Sequence, residues 1–285
     1  MVGGTLLSRR KQHRKMYDDR IKNVDIKRFR GGNSVEVEDV VLSERPLTIK
    51  VGDSPFVTVM CTPDDEFELA AGLLFSEGVI DSGKDIGIIR YCPEETEGVV
   101  EVRLTDERRP GAVSRIATIR AISRSSCGIC DKELVDDILS FITPIQSDIV
   151  ISAEKIIEIE AKLSAELHDL FKLTGAAHSA ALLDVEGNVL SMAEDVGRHN
   201  ALDKAIGKII LTRPSQNPSI AFLSSRASFE MVQKVARAQI PVACFASAVT
   251  DMAIDLAQRW NITLLGFTRP NGFNVYTQPH RILFS

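Results

Sequence analysis

Two cysteines with two residues between them, Cys127 and Cys130 in "SRSSCGICDKEL" (123–134), are the side chains best suited to chemistry. Thiols so spaced serve as half a zinc site, as a redox couple, or as a carrier of sulfane sulfur in a persulfide. A structural zinc site takes four ligands, and the other three cysteines and the five histidines show no matching spacing. The zinc-deaminase signature is absent as well, since no His is followed two residues later by Glu and Ser126, not Pro, precedes Cys127. A thioredoxin-like pair would open a helix after the first strand of a βαβ unit. This pair lies in mid-chain after a strand-rich segment. Sulfur carriage needs a nucleophilic thiolate on a polar, adaptable segment. Arg124 and the helical pattern of "KELVDDILSF" favour the thiolate, while Asp131 opposes it by like charge. Cys61, Cys92 and Cys244 sit in apolar runs and read as small buried hydrophobes.

Three further stretches combine polar groups with the ends of predicted strands. "SSRAS" (224–228) offers hydroxyls, Ser225 among them, with Arg226 at a helix start, a combination suited to phosphate. "ASAVTD" (246–251) follows the next strand. "FTRPNG" (Phe267, Thr268, Arg269, Pro270, Asn271, Gly272) follows a third, and its Arg269 can fork onto phosphate or stack on a base. Ligands of open α/β sheets bind beyond the carboxyl ends of the strands, where all three stretches fall. "EDVGRHNALDK" (194–204) gathers Arg198, His199 and Asp203 around another helix start. His199 and Asp203 are four apart and share a helix face, as an oriented imidazole or as a surface pair. His178 in "GAAHSAAL" is open to both readings.

The elements that must hold these groups follow from hydrophobic period. "VEVEDVVLSERPLTIKVGDSPFVTV" (35–59) reads as three short strands that start like a meander. "TPDDEFELAAGLLFSEGVI" reads as a helix capped by Thr62 or Asp64 and ended by Gly78, and "IGIIRYC", "GVVEVRLT" and "AVSRIATIRAI" read as strands. "ELVDDILSFI" and "SAEKIIEIEAKLSAELHDLF" are helical, the latter with an apolar stripe at 156, 159, 163, 167 and 170. A hairpin turns at "VEGN", where Gly187 and Asn188 can take positive φ. Beyond a helix capped by Asp195, strands "SIAFL", "PVACFAS" and "ITLLGF" alternate with helices "SFEMVQKVARAQ" and "TDMAIDLAQRW". That rhythm predicts a parallel sheet covered by helices, closed by "FNVYT". The fold class is therefore α/β, α+β overall. Residues 1–34 are expected as a basic, poorly ordered tail, 35–145 as a strand-rich domain ending in the CxxC segment, and 146–285 as the α/β domain.

Hydrophobic residues at 44% and charged ones at 26% fit a globular chain with a sizeable core. No apolar run approaches the roughly 20 residues of a membrane helix, and the odd cysteine count argues against a secreted disulfide framework. The expectation is a cytoplasmic protein. Residues 1–30 carry ten Lys or Arg against three Asp, a local +7 in a chain of net charge −5. They read as a solvated tail in preference to a nucleic-acid contact.

"SSCGIC", "TGAAHSAALL", "EDVGRHNALDK", "SSRASFEMVQK", "QIPV" and "GFTRPNGFNVYT", in this order, resemble the FdhD family of formate dehydrogenase accessory sulfurtransferases, with similarity over about residues 35–280. The resemblance implies a cytoplasmic sulfur carrier, usually a homodimer, with a cytidine-deaminase-like three-layer α/β/α carboxyl domain that lacks the zinc chemistry. It implies sulfur taken from a cysteine desulfurase of the IscS type and given to the molybdenum bis(molybdopterin guanine dinucleotide) cofactor for formate dehydrogenase. Cys127 matches the persulfide-bearing cysteine and Cys130 its neighbour, and Phe267 through Gly272 match the segment that binds the cofactor's guanine nucleotide portion. Asp131, Ala176 and Val249 depart from the Gly, Gly and Pro usual at those places. The alternative role is a cofactor- or nucleotide-binding chaperone without covalent sulfur chemistry.

Overall fold

The computed structural model describes residues 19–92, 98–124, 141–166, 169–212 and 216–284. Strands β3 (Arg45–Val51), β4 (Ser54–Cys61), β5 (Ile86–Tyr91) and β6 (Val99–Leu104) form a sheet of order β4-β3-β6-β5, with β3 and β6 parallel and the outer pairs antiparallel. One face buries Leu47, Ile49, Val100 and Val102 against helix α1 (Glu66–Ser76), whose Leu69, Ala70 and Leu74 are inaccessible. The helix begins at Asp65, in the left-handed region with φ 55° and making no side-chain cap bond, and not at Thr62 or Asp64. Gly78, with φ 74°, ends it as expected.

Two expectations fail in this half. The segment "AVSRIATIRAI" is not a strand but part of helix α2 (Arg109–Arg124). Its β-branched residues suggested extension, yet Ala112, Ile116 and Ile119 are spaced four and three apart and pack together on the sheet core. Tertiary burial of that stripe overrides strand propensity. Residues 21–34, assigned to the poorly ordered tail, form most of a two-stranded ribbon, β1 (Ile21–Arg30) with β2 (Asn33–Leu42). Its positive charges hid an alternation in which Val24, Ile26, Val35 and Val37 share one face. β2 accordingly pairs with β1 and does not join the meander. The ribbon's root packs through Ile21 and Leu42 on Leu170 and Ala177.

In the second half, β8 (His178–Leu183), β9 (Val189–Asp195), β10 (Ile220–Leu223), β11 (Val242–Phe245), β12 (Thr263–Arg269) and β13 (Gly272–Val275) form a sheet of order β13-β12-β11-β10-β8-β9. The three central strands β10, β11 and β12 are parallel, as the alternating rhythm predicted; β8, β9 and β13 run antiparallel to their neighbours. Helices α5 (Arg198–Thr212), α6 (Phe229–Arg237) and α7 (Asp251–Arg259) cover one face. Helix α3 (Ala153–Glu166) covers the other with Ile156, Ile159 and Leu163, and the short α4 (Asp169–Thr174) contributes Leu170 at the ribbon's root. Leu167 of the predicted stripe and residues 133–140 of the predicted "ELVDDILSFI" helix lie outside the described residues, and Phe141 and Ile142 at its end are not helical. In the hairpin turn Gly187 takes φ 86°, whereas Asn188 stays at negative φ and donates its amides to Asp184. Short β7 (Ile151–Ser152) and β14 (Ile282–Leu283) pair beside the domain.

The two sheets are joined through α1 and α5, which meet backbone to backbone. A Cβ on Gly72 would lie 1.8 Å from the Asp203 carbonyl oxygen, and one on Gly207 would lie 1.9 Å from that of Glu68. No side chain can yield at either place, because the obstacle is main chain on both sides. Gly207→Ala is expected to cost roughly 3 kcal/mol or more by overpacking, read as a lower urea midpoint, whereas Gly111→Ala, in helix α2 with only a flexible arginine tip at 3.9 Å, should raise the midpoint slightly.

Candidate functional site

The turn from β9 into α5 is anchored by a buried carboxylate. Asp195 Oδ2 accepts from the Thr62 amide at 3.0 Å and lies 2.7 Å from Lys204 Nζ, and Oδ1 accepts from the Gly197 amide at 2.8 Å and from Asn200 Nδ2 at 2.9 Å. Asp195 and Lys204 are both wholly buried, and Lys204 also donates to the Thr62 carbonyl at 2.8 Å. The Thr62 hydroxyl accepts from the Val196 amide at 3.0 Å. The end of β4 is thereby stitched to the segment that presents Arg198 and His199. Asp203, expected to pair with His199, is instead held by Lys234 and Ser76 in the α1–α5–α6 interior. His199 turns to Glu230, with Nε2 2.7 Å from Oε2, and holds that carboxyl below its usual range.

The three polar stretches at the carboxyl edge are bonded side by side. The Ser247 amide donates to Ser225 O, the Phe267 amide donates to Ser247 O, and Ala227 bridges Val249. Behind this edge opens a cavity of about 410 Å³, within the range of small-molecule sites. Its apolar wall is Leu163, Ala181, Phe222 and Cys244, and its polar rim is His178, Ser179, Ser224, Thr268 and Arg269. Pro270 also lines it; Phe267, Asn271 and Gly272 do not, Phe267 being exposed at a bulge with φ 52°. Ser225 is buried and donates to the Arg226 carbonyl, and Arg226 is exposed, so the neighbouring Ser224 is the hydroxyl that meets the cavity. Arg198 and His199 flank it without lining it; both bear on the electrostatics of His178.

Ser224 Oγ accepts from the Ser179 amide at 2.9 Å and lies 3.3 Å from His178 Nδ1. The hydroxyl thus links the Ser179 backbone to the imidazole and fixes the orientation of the ring at the cavity rim. Burial, aided by Arg198, lowers the His178 pKa below its ordinary 6.5, so the imidazole is neutral at pH 7. Cys244 is buried beside the cavity, and desolvation pushes its thiol far up; Cys61 is pushed up to about 12 for the same reason, with the nearby Lys204 opposing. Neither is a thiolate nucleophile at neutral pH. Cys127, Cys130 and Asp131 lie outside the described residues, as does the side chain of Arg124. The stems on either side are fixed: Arg108, just before α2, and Arg115 within it donate to the carbonyls of Glu77, Gly78 and Val79 just past the end of α1. Arg115 and Arg237 lie over the ring of Phe141, 4.1 and 5.2 Å from its centroid.

The protein matches the FdhD/NarQ family over residues 42–283. The chain belongs to the FdhD/NarQ family. Among curated relatives, the sulfur carrier protein FdhD of Xanthomonas axonopodis pv. citri is 35% identical over 257 residues, covering 90% of each chain. The sulfur carrier protein FdhD of Sulfolobus acidocaldarius is 37% identical over 263 residues, 92% of this chain and 98% of the other. A solved structure from Desulfotalea psychrophila, described as a formate dehydrogenase accessory protein, superposes with a TM-score of 0.74 at 26% identity over 93% of this chain and all of that one. Within this FdhD/NarQ-family chain, Glu160, Ser164 and the 175–177 stretch were not singled out from sequence, although all line the cavity. Ala176, noted only as a departure from the family, is one of them. Glu160 carried a faint signal, an acid set between the core positions Ile159 and Leu163.

Two outcomes are expected. Asp195→Asn leaves Lys204 buried without its counter-charge and should cost about 3–5 kcal/mol, measured by denaturant unfolding. The lowered pKa of His178 means that the native state resists a proton the unfolded chain accepts. Stability from this group is complete above pH 6.5 and declines as pH falls through the native pKa. Melting curves of His178→Gln against the parent chain should therefore converge on the acid side and show a shallower pH slope for the variant.

Proposed function

We propose that this protein is a sulfur carrier, in which Cys127 takes sulfur from a cysteine desulfurase of the IscS type as a persulfide and passes it to the molybdenum bis(molybdopterin guanine dinucleotide) cofactor destined for formate dehydrogenase. The observation that carries the reading is the cavity at the carboxyl edge of β10, β11 and β12, in a chain whose relatives are named sulfur carriers. It pairs an apolar wall for a flat ring with Arg269, Ser224 and Thr268 at its rim, a set that supports holding one nucleotide portion of a larger substrate. The inertness of Cys61 and Cys244 favours Cys127 and Cys130 as the working thiols. The strand order, with β8 antiparallel to the parallel trio, supports reading 146–285 as the cytidine-deaminase-like domain. The same reading takes the protein as a cytoplasmic homodimer; no helix among the described residues is long and apolar enough to cross a membrane.

In loading, the Cys127 thiolate attacks the terminal sulfur of the donor's persulfide. The donor's S–S bond breaks, its thiolate leaves, and a new S–S bond forms on Cys127 without net oxidation. Delivery at the sulfide level takes two electrons, which the Cys130 thiol supplies by closing a disulfide with Cys127. A reductant of the dithiol class then reopens the pair.

Incubation with desulfurase and cysteine is expected to add one sulfur atom, removable by dithiothreitol, to the peptide bearing Cys127, and Cys127→Ala should abolish formate dehydrogenase activation while nucleotide binding persists. Full activation by Cys127→Ala would leave the non-covalent chaperone as the function.

A further inference from the structure

Helix α3 contributes three consecutive-turn residues to the cavity: Glu160, Leu163 and Ser164. Leu163 belongs to the core stripe, and a carboxylate beside it is out of place in an apolar face. Glu160 is 9% exposed. Its Oε1 accepts from Ser164 Oγ at 2.8 Å, and its Oε2 is buried with no hydrogen-bond partner among the described residues. No arginine or lysine is paired with it in the structure as described. An acceptor-only group left this way costs as much as the desolvation of that oxygen, of order 1–3 kcal/mol and more when ionised. Such a group is retained where something else brings the donors.

The requirement on that donor is specific. A carboxylate meets a ligand best when two N–H groups lie side by side, one on a ring and one exocyclic, because its oxygens are acceptors only. Phe222 and Ala181 in the same wall suit the faces of a flat heterocycle. Arg269 and His178 supply donors elsewhere on the rim, so acceptors are scarce in this cavity and Glu160 is the charged one.

We infer that Glu160 is the specificity-determining residue of the cavity: it accepts the adjacent ring N–H and amino group of a 2-amino-4-oxopyrimidine edge and disfavours rings that lack the pair. The inference rests on the reading that the cavity takes a nucleotide portion of the cofactor. Guanine and pterin share this edge, and both occur in a guanine-dinucleotide pterin cofactor. Adenine offers a donor beside an acceptor there and would set a lone pair against the carboxylate. Hypoxanthine keeps the ring N–H but lacks the amino group.

Isothermal titration of the full chain with GDP, IDP, ADP and free pterin tests this. The unmodified protein should bind GDP at least tenfold more tightly than IDP and exclude ADP, the usual size of a two-donor discrimination. Glu160→Gln should bring GDP and IDP within about threefold, with GDP losing more affinity than IDP. A chain that binds GDP and IDP alike, or a Glu160→Gln variant that keeps the preference, would overturn the role of Glu160 and leave the cavity reading intact. Tight binding of pterin in place of GDP, lost in Glu160→Gln, supports the same role with pterin as the source of the edge. Absence of binding by every probe, or GDP binding that is indifferent to Arg269→Ala, would sink the cavity reading itself and the inference with it. If Glu160→Gln does not fold, the GDP-to-IDP ratio of the unmodified chain still decides, since a ratio near one overturns the inference.

Discussion

The Asp195–Lys204 pair is the interaction on which the arrangement depends. Both charges are removed from water, and such a pair survives only when geometry and further hydrogen bonds satisfy the remaining valences. Here the carboxylate is fully used: two backbone amides, one asparagine and one ammonium converge on it, and the ammonium also donates to the carbonyl of Thr62. Because Thr62 lies just past β4 and Asp195 ends β9, the pair holds one sheet against the other. It leaves Arg198 and His199, at the start of α5, little choice of position. The Asp203–Lys234 pair, completed by Ser76, repeats the device at the adjacent residue of α5.

The cavity inherits its shape from that joint. His178 is the register partner of Asp195 across the β8–β9 ladder, so the anchored carboxylate and the rim imidazole are placed by the same pair of strands. From there the rim runs across the ends of β10, β11 and β12 through the bonded loops at Ser225, Ser247 and Phe267. Parallel strands end together, and their loops bring hydroxyls, amides and an arginine to one edge without long-range design. The apolar wall comes from a different source, the buried strand side chains Ala181, Phe222 and Cys244 faced by Leu163 of α3, which explains why rim and wall differ so much in chemistry.

Sequence reasoning was strongest where burial is complete. "SIAFL", "PVACFAS" and "ITLLGF" are short apolar runs bounded by turn residues, and each became a central strand because both faces are covered. It failed where two signals competed. In α2 the β-branched residues carried a strand propensity that the four-and-three spacing of Ala112, Ile116 and Ile119 overrode. In the β1–β2 ribbon, lysines and arginines masked an alternating face. At the site, Thr268, Arg269 and Pro270 were legible because strand ends can be located from pattern alone. Glu160 was not, since an acid on an amphipathic helix looks like a solvent-facing one until the cavity beside it is known. The His199–Asp203 spacing was real, but Lys234 and Ser76, remote in sequence, outbid His199 for the carboxylate.

Gly72 and Gly207 give the molecule a property beyond stability. Where two helices touch main chain to main chain, neither sliding nor rotation can be absorbed by a change of rotamer, so the contact behaves as a weld and not as a hinge. The four-stranded sheet and α2 are mounted on one side of that weld, and the cavity is mounted on the other. The span between them is therefore a constant of the protein, like the fixed arm of a caliper.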